Sequence, residues 1–193
     1  MPRPKNFEKE EVLKKAMQLF WRKGYEATSI KDLVVHTGIN KQSLYDTFGD
    51  KHTLYLAALS IYRADNECGF DALSAANIST KTALHQLFEN VIAEVVADSD
   101  RKGCFMNNAT VELSSQNEKV GQICFDNMNT MEKRLGKLIE RGQADGEISK
   151  TLNSKTVAAF LFTAINGLRA VSKITQDKQK LEDIVKITLS ILD

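Results

Sequence analysis

Residues 28–51 read TSIKDLVVHTGINKQSLYDTFGDK, and their spacing decides the fold. Ile30, Leu33 and Val34 recur at helical intervals behind Thr28 and Ser29, either of which can cap the free N–H groups of a helix start. His36, Thr37 and Gly38 end that helix. Gly38 can take the positive φ of a tight turn, Ile39 can plug the space beneath it, and Asn40 can cap a second helix from about Lys41 to Phe48. On this second helix Leu44 and Phe48 stand four apart and face inward. Lys41, Gln42, Ser43, Tyr45 and Asp46 are left pointing outward, and these side-chain types reach bases and phosphates. A helix, a tight turn and a second helix spaced this way imply a DNA-reading unit.

Its chemistry divides into positioning and reading. Thr28 and Ser29 at one helix start and Lys51 at another can hold phosphates through N–H groups, hydroxyls and charge. Lys41, Gln42 and Ser43 open the outward face of the second helix, where Gln42 suits adenine and Lys41 suits guanine. Asp46 is repelled by phosphate unless it accepts from cytosine or orients a neighbour. Arg3 and Lys5 make a short basic arm that suits a minor groove or a disordered tail.

The run from Phe7 to about Leu59, with FWRKGYEATSI and then DLVVHTGINKQSLYDTFGDKHTLYLAAL, resembles the N-terminal domain of the tetracycline-repressor (TetR) family. Tyr45 and Lys51 occupy the Tyr and Lys of the family's LY-x-x-F-x-x-K pattern, and the resemblance implies phosphate contacts for both. Further on, RKGCFMNNATVEL, Arg101 to Leu113, is similar to a stretch that opens a ligand-domain helix in one branch of the family. The resemblance implies a homodimeric repressor that leaves double-stranded operator DNA when a small-molecule inducer binds.

The rest of the chain is compatible with that expectation. Its 193 residues suffice for one good core or two small ones. Residues 1–63 hold 11 Lys and Arg against 7 Asp and Glu, and residues 64–193 hold 15 against 18, so a net +4 head faces a net −3 body. No apolar run approaches the roughly 18 residues needed to span a bilayer, and the charged start MPRPKNFEKEE is unlike a signal peptide, so a cytoplasmic protein is expected. Cys68, Cys104 and Cys124 are three, widely spaced and without a C-x-x-C, which points to reduced thiols rather than disulfides or a zinc ribbon.

Both prolines lie in the first four residues, and 3- and 4-residue apolar spacing recurs in every long segment, so the fold class is all-α with about nine helices. A three-helix helix-turn-helix domain is expected over residues 1–50, and a helical ligand-binding and dimerisation domain over 51–193. The fourth helix should run from near Lys51 toward Cys68 as the link between them. Ser79 or Thr80 caps the fifth helix, the sixth spans Cys104 to about Ser114, and the seventh about Glu118 to Gly142. The last two helices, over 154–192, are apolar nearly all round, which suits either a four-helix homodimer interface or a well-buried monomer core.

Phe88, Phe105, Asn108, Glu112, Cys124, Met128, Met131, Phe162 and Asn166 offer the mixture of apolar and polar side chains that a ligand pocket needs. Cys104 joins them as a thiol after Arg101 and Lys102 at a helix start, a setting that suits a redox- or electrophile-sensing repressor as an alternative mechanism. A helical interaction module that binds no DNA is the other alternative. His36, His52 and His85 are scattered singly, so no metal and no cofactor is expected. No nucleophile elbow, phosphate loop or H-E-x-x-H pattern occurs, so an enzyme is not expected either.

Overall fold

The computed structural model describes residues 8–193, and the basic arm of Arg3 and Lys5 lies outside the described residues. The described residues form nine α-helices and one short 3-10 turn, with no strand among them: α1 (Lys9–Lys23), α2 (Ile30–Thr37), α3 (Lys41–Phe48), α4 (Lys51–Ala75), α5 (Thr80–Ala97), α6 (Phe105–Leu113), α7 (Glu118–Ala144), α8 (Ser154–Val171) and α9 (Lys178–Leu189), followed by Ser190–Leu192.

The helix starts follow the capping chemistry of the sequence. Ser29 caps α2, its hydroxyl accepting the Asp32 N–H while the Asp32 carboxylate accepts the Ser29 N–H. The side chains of Asn40, Asp50, Ser79, Asn117, Asn153 and Asp177 cap α3, α4, α5, α7, α8 and α9, each accepting the N–H three residues on, without the return bond. Each such cap is worth about 1 kcal/mol. Gly38 ends α2 in the left-handed region at φ 76°, the tight turn its position required. The fourth helix runs seven residues beyond Cys68, to Ala75. Gly69 interrupts nothing there, because the following Phe70 is buried and fastens the last turns to the body.

Two apolar cores hold these helices. The first joins α1, α2, α3 and the first half of α4 through Phe20, Leu33, Leu44, Leu54 and Leu59, and continues into Phe105, Met106 and Ala109 of α6. The second unites Phe70 with α5, the latter half of α7, α8 and α9 around Phe88, Leu135, Ile139, Leu161 and Leu181. α4 therefore contributes to both. The outer side of α8 and α9 remains apolar and uncovered at Phe160, Val171, Ile174, Ile184, Ile187 and Ile191. Leu168, by contrast, is only 3% exposed and belongs to the second core.

Candidate nucleic-acid interface and ligand cavity

α3 presents one face to the outside. Leu44 and Phe48 are buried, Lys41, Gln42 and Asp46 are exposed, and Ser43 and Tyr45 are half-buried beside them. The Gln42 amide nitrogen donates to Asp46 Oδ1 at 2.8 Å, so Asp46 fixes the orientation of the amide. The Lys41 ammonium lies 5.6 Å from the centroid of the Tyr45 ring. Lys51, in the first turn of α4, sits 4.1 Å over the Tyr25 ring, which leans in turn on Tyr55 at 4.9 Å. Tyr25 was not singled out in the sequence, although it immediately follows the glycine that ends α1. Burial, with Glu26 and Asp50 nearby, pushes its hydroxyl above the usual tyrosine value.

The expected phosphate contacts at the start of α2 need correction. Thr28 is fully buried, with its hydroxyl donated to the Gly24 carbonyl at 2.6 Å and its N–H to Tyr25. Ser29 gives both its N–H and its hydroxyl to Asp32 at 3.0 and 2.8 Å. The groups meant for phosphate close the helix start instead, and Asp32 adds a negative charge there. Its carboxyl is held down at about 2 by the Ser29 backbone N–H first, then the Ser29 hydroxyl and Lys23. Because the folded value lies below the unfolded one, this stabilisation is present above about pH 4 and is lost as the pH falls through about 2. Asp32→Asn should therefore flatten the acid limb of unfolding in that window; equal acid sensitivity of the two proteins would exclude Asp32 as its source.

α6 bolts the head to the body at both ends. At its start, the Trp21 Nε1–H donates to the Gly103 carbonyl at 2.8 Å and the Lys102 ammonium lies 5.2 Å from the Trp21 ring centroid. At its end, the Glu112 carboxylate accepts the N–H groups of Tyr25 and Glu26 at 3.1 and 2.9 Å. Gly24, at φ 85°, permits this approach, since a Cβ there would stand 3.1 Å from both Glu112 oxygens. Glu112 is therefore a junction residue, not a pocket residue: a partly buried carboxylate needs donors, and adjacent loop amides supply them.

Between α4, α5, α6, α7 and α8 lies a cavity of about 320 Å³. Of the expected ligand residues, Cys104, Met131, Phe162 and Asn166 line it. Cys124 and Met128 instead line an adjoining groove of about 420 Å³ that shares Phe162 and Asn166. Three others are corrected. Phe88 is fully buried in the second core, Phe105 packs against Tyr55, Tyr62 and Trp21 in the first, and Asn108 donates to the Lys102 carbonyl and accepts from Lys173. The cavity gains Tyr62 and Arg169, neither of which was marked by local sequence. Among the described residues, no three His, Cys, Asp or Glu side chains are placed to hold a metal ion, and no helix is long and apolar enough to cross a membrane.

Two family models match the chain: residues 12–58 fit "Bacterial regulatory proteins, tetR family", and residues 80–188 fit "Tetracyclin repressor-like, C-terminal domain". The chain belongs to the tetR family of bacterial regulatory proteins. It is 30% identical over 195 residues to the HTH-type transcriptional regulator YezE of Bacillus subtilis (strain 168), with all of both chains covered. It is 32% identical over 190 residues to the HTH-type transcriptional repressor ComR of Escherichia coli (strain K12), covering 98% of this chain and 90% of that one. The fold is also similar to that of a cysteine mutant of the TetR family transcriptional regulator CifR complexed with 26bp double-strand operator DNA, at a TM-score of 0.88 and 26% identity over 99% of this chain and 100% of that one.

Proposed function

We propose that this regulator is a cytoplasmic repressor rather than an enzyme, which binds operator DNA as a homodimer and is released by a small molecule entering the cavity. The observation that carries the reading is the outward face of α3, where Lys41 and Gln42 are exposed and half-buried Tyr45 leans on the core beside them, with Lys51 at the adjoining helix start. In this reading, residues 1–50 form the DNA-binding head and 51–193 the ligand and dimer body. Lys51, Tyr45 and the α3 start grip phosphate, while Lys41, Gln42 and Ser43 face base edges. The uncovered apolar side of α8 and α9 supplies the dimer face, within residues 154–192, where exposed Gly167 and Ala170 allow close approach. Two heads in successive major grooves must stand about 34–36 Å apart, so a shift of α4 or α6 by a few ångströms spoils the match.

Selecting bound duplexes from a random pool tests the reading and supplies the operator. Against that operator, Lys51→Ala should weaken specific and random DNA alike and lower the salt slope by about one. Gln42→Ala should mainly relax preference at one base pair, since both its amide and its Asp46 brace are lost as a reading unit. Absence of any enriched duplex, or identical effects of the two changes on specific and random DNA, would overturn the assignment.

A further inference from the structure

The cavity holds a reactive arrangement that DNA binding does not use. Cys104 lies just before the first turn of α6, is 4% exposed and lines the cavity wall. The Tyr62 hydroxyl donates to its Sγ at 3.5 Å, and Arg169 Nη1 stands 3.8 Å from the same sulfur. Arg169 Nη2 binds Glu94 at 2.8 Å, but its Nε is buried with no hydrogen-bond partner. Leaving such a donor unpaired costs about 1–3 kcal/mol.

Burial opposes the charge on Arg169, yet Cys104, Tyr62 and Glu94 around it outweigh that and keep the guanidinium charged. The charge expected from Arg101 and Lys102 thus comes from α8 instead: Arg101 is exposed, and Lys102 is paired with Asp98 at 3.0 Å. The other thiols lack this setting. Cys68 is exposed on α4, and burial pushes the Cys124 thiol up, beside Met106.

A nucleophilic sulfur and a fixed cation beside a small void with apolar walls at Val91, Met131 and Ile165 match one ligand class. We propose that the cavity captures small α,β-unsaturated carbonyl compounds, with Cys104 adding to the β-carbon while Arg169 receives the carbonyl oxygen. In that step the S–C bond forms and the C=C π pair moves to the oxygen as an enolate. The α-carbon then takes up the proton that the thiol gave up, restoring the carbonyl, and nothing is oxidised or reduced. At about 320 Å³ the cavity stands at the low end of the roughly 300–1,000 Å³ of ligand pockets, which suits a small compound. Cys104 adjoins Gly103, whose carbonyl holds Trp21, and the far end of α6 holds Tyr25 and Glu26 through Glu112. An adduct at this point pushes on the helix that bolts the head in place.

The inference rests on the regulator reading, and its test separates the two. In a Cys68→Ser background, which removes the exposed thiol, N-ethylmaleimide serves as the probe and N-ethylsuccinimide as its saturated counterpart of the same shape. Peptide mass mapping, which needs no DNA, should find one adduct at Cys104. Affinity for the selected operator should then fall at least tenfold. The Cys104→Ser protein should bind the operator and keep it after treatment, and N-ethylsuccinimide should release neither protein. Arg169→Lys, which keeps the charge but loses the guanidinium, should slow the adduct at Cys104 about tenfold without slowing reaction of Cys68 in the natural chain. An unmodified Cys104 in folded protein, equal release by the saturated imide, or release from Cys104→Ser would each overturn the proposal. An adduct at Cys104 in a protein that selects no DNA would uphold capture and sink the regulator reading alone.

Discussion

A chain carrying Val171→Asp and Ile187→Asp should run as a monomer in light scattering and lose at least about a hundredfold in operator affinity. Both side chains are exposed in the isolated chain, at 37% and 73%, and both belong to the apolar side of α8 and α9 that nothing within the chain covers. A carboxylate left unpaired in an apolar interface costs about 3–5 kcal/mol, and a two-fold axis repeats each substitution in the partner. Even one such cost exceeds the roughly 2.8 kcal/mol that a hundredfold represents. The chain's own fold should survive, because neither side chain is in its cores. Leu168→Asp provides the contrast: Leu168 is buried in the second core, so that change should unfold the protein rather than split it. If the double variant keeps the mass of the unaltered protein, the interface lies elsewhere.

Phe105→Ala should lower unfolding stability by about 3–5 kcal/mol, the range for deleting a buried aromatic ring. Phe105 is 1% exposed, with its ring edge-on to Tyr55 at 5.5 Å and to Tyr62 at 5.8 Å. Those edge-to-face pairs add about 0.5–1.5 kcal/mol each beyond area burial. The ring comes from α6 but fills the core of the head, so its loss should also lower the cooperativity with which head and body unfold in urea. Phe105→Leu should cost less, since it restores most of the volume. A loss below about 1 kcal/mol for the alanine change would show that the head does not depend on α6.

The head was legible because its signals are local. Gly38, Asn40, Leu44 and Phe48 act within one or two turns of where they stand, and each has the role its spacing required. Thr28 and Ser29 show where local reading stops: both are the right residue types for a helix start, but their hydroxyls already have partners in Gly24 and Asp32. The cavity was legible only in part. Cys104 meets Tyr62 from 42 residues earlier and Arg169 from 65 residues later, and helical periodicity carries no information about such pairings. Glu112 is the intermediate case. As a polar group on a mostly apolar helix it had to find donors, but nothing in its own segment showed that they would be the amides of Tyr25 and Glu26.

The chain has one tryptophan, and it stands at the seam. The Trp21 indole donates to the Gly103 carbonyl, meets Tyr62 edge-on at 5.0 Å and lies under the Lys102 ammonium. The protein thus carries its own optical reporter. Any movement of α6 against the head changes the polarity and the charge beside a single fluorophore, so emission colour and intensity follow the junction without an attached dye. Stopped-flow mixing can then time the mechanical step separately from the departure of DNA.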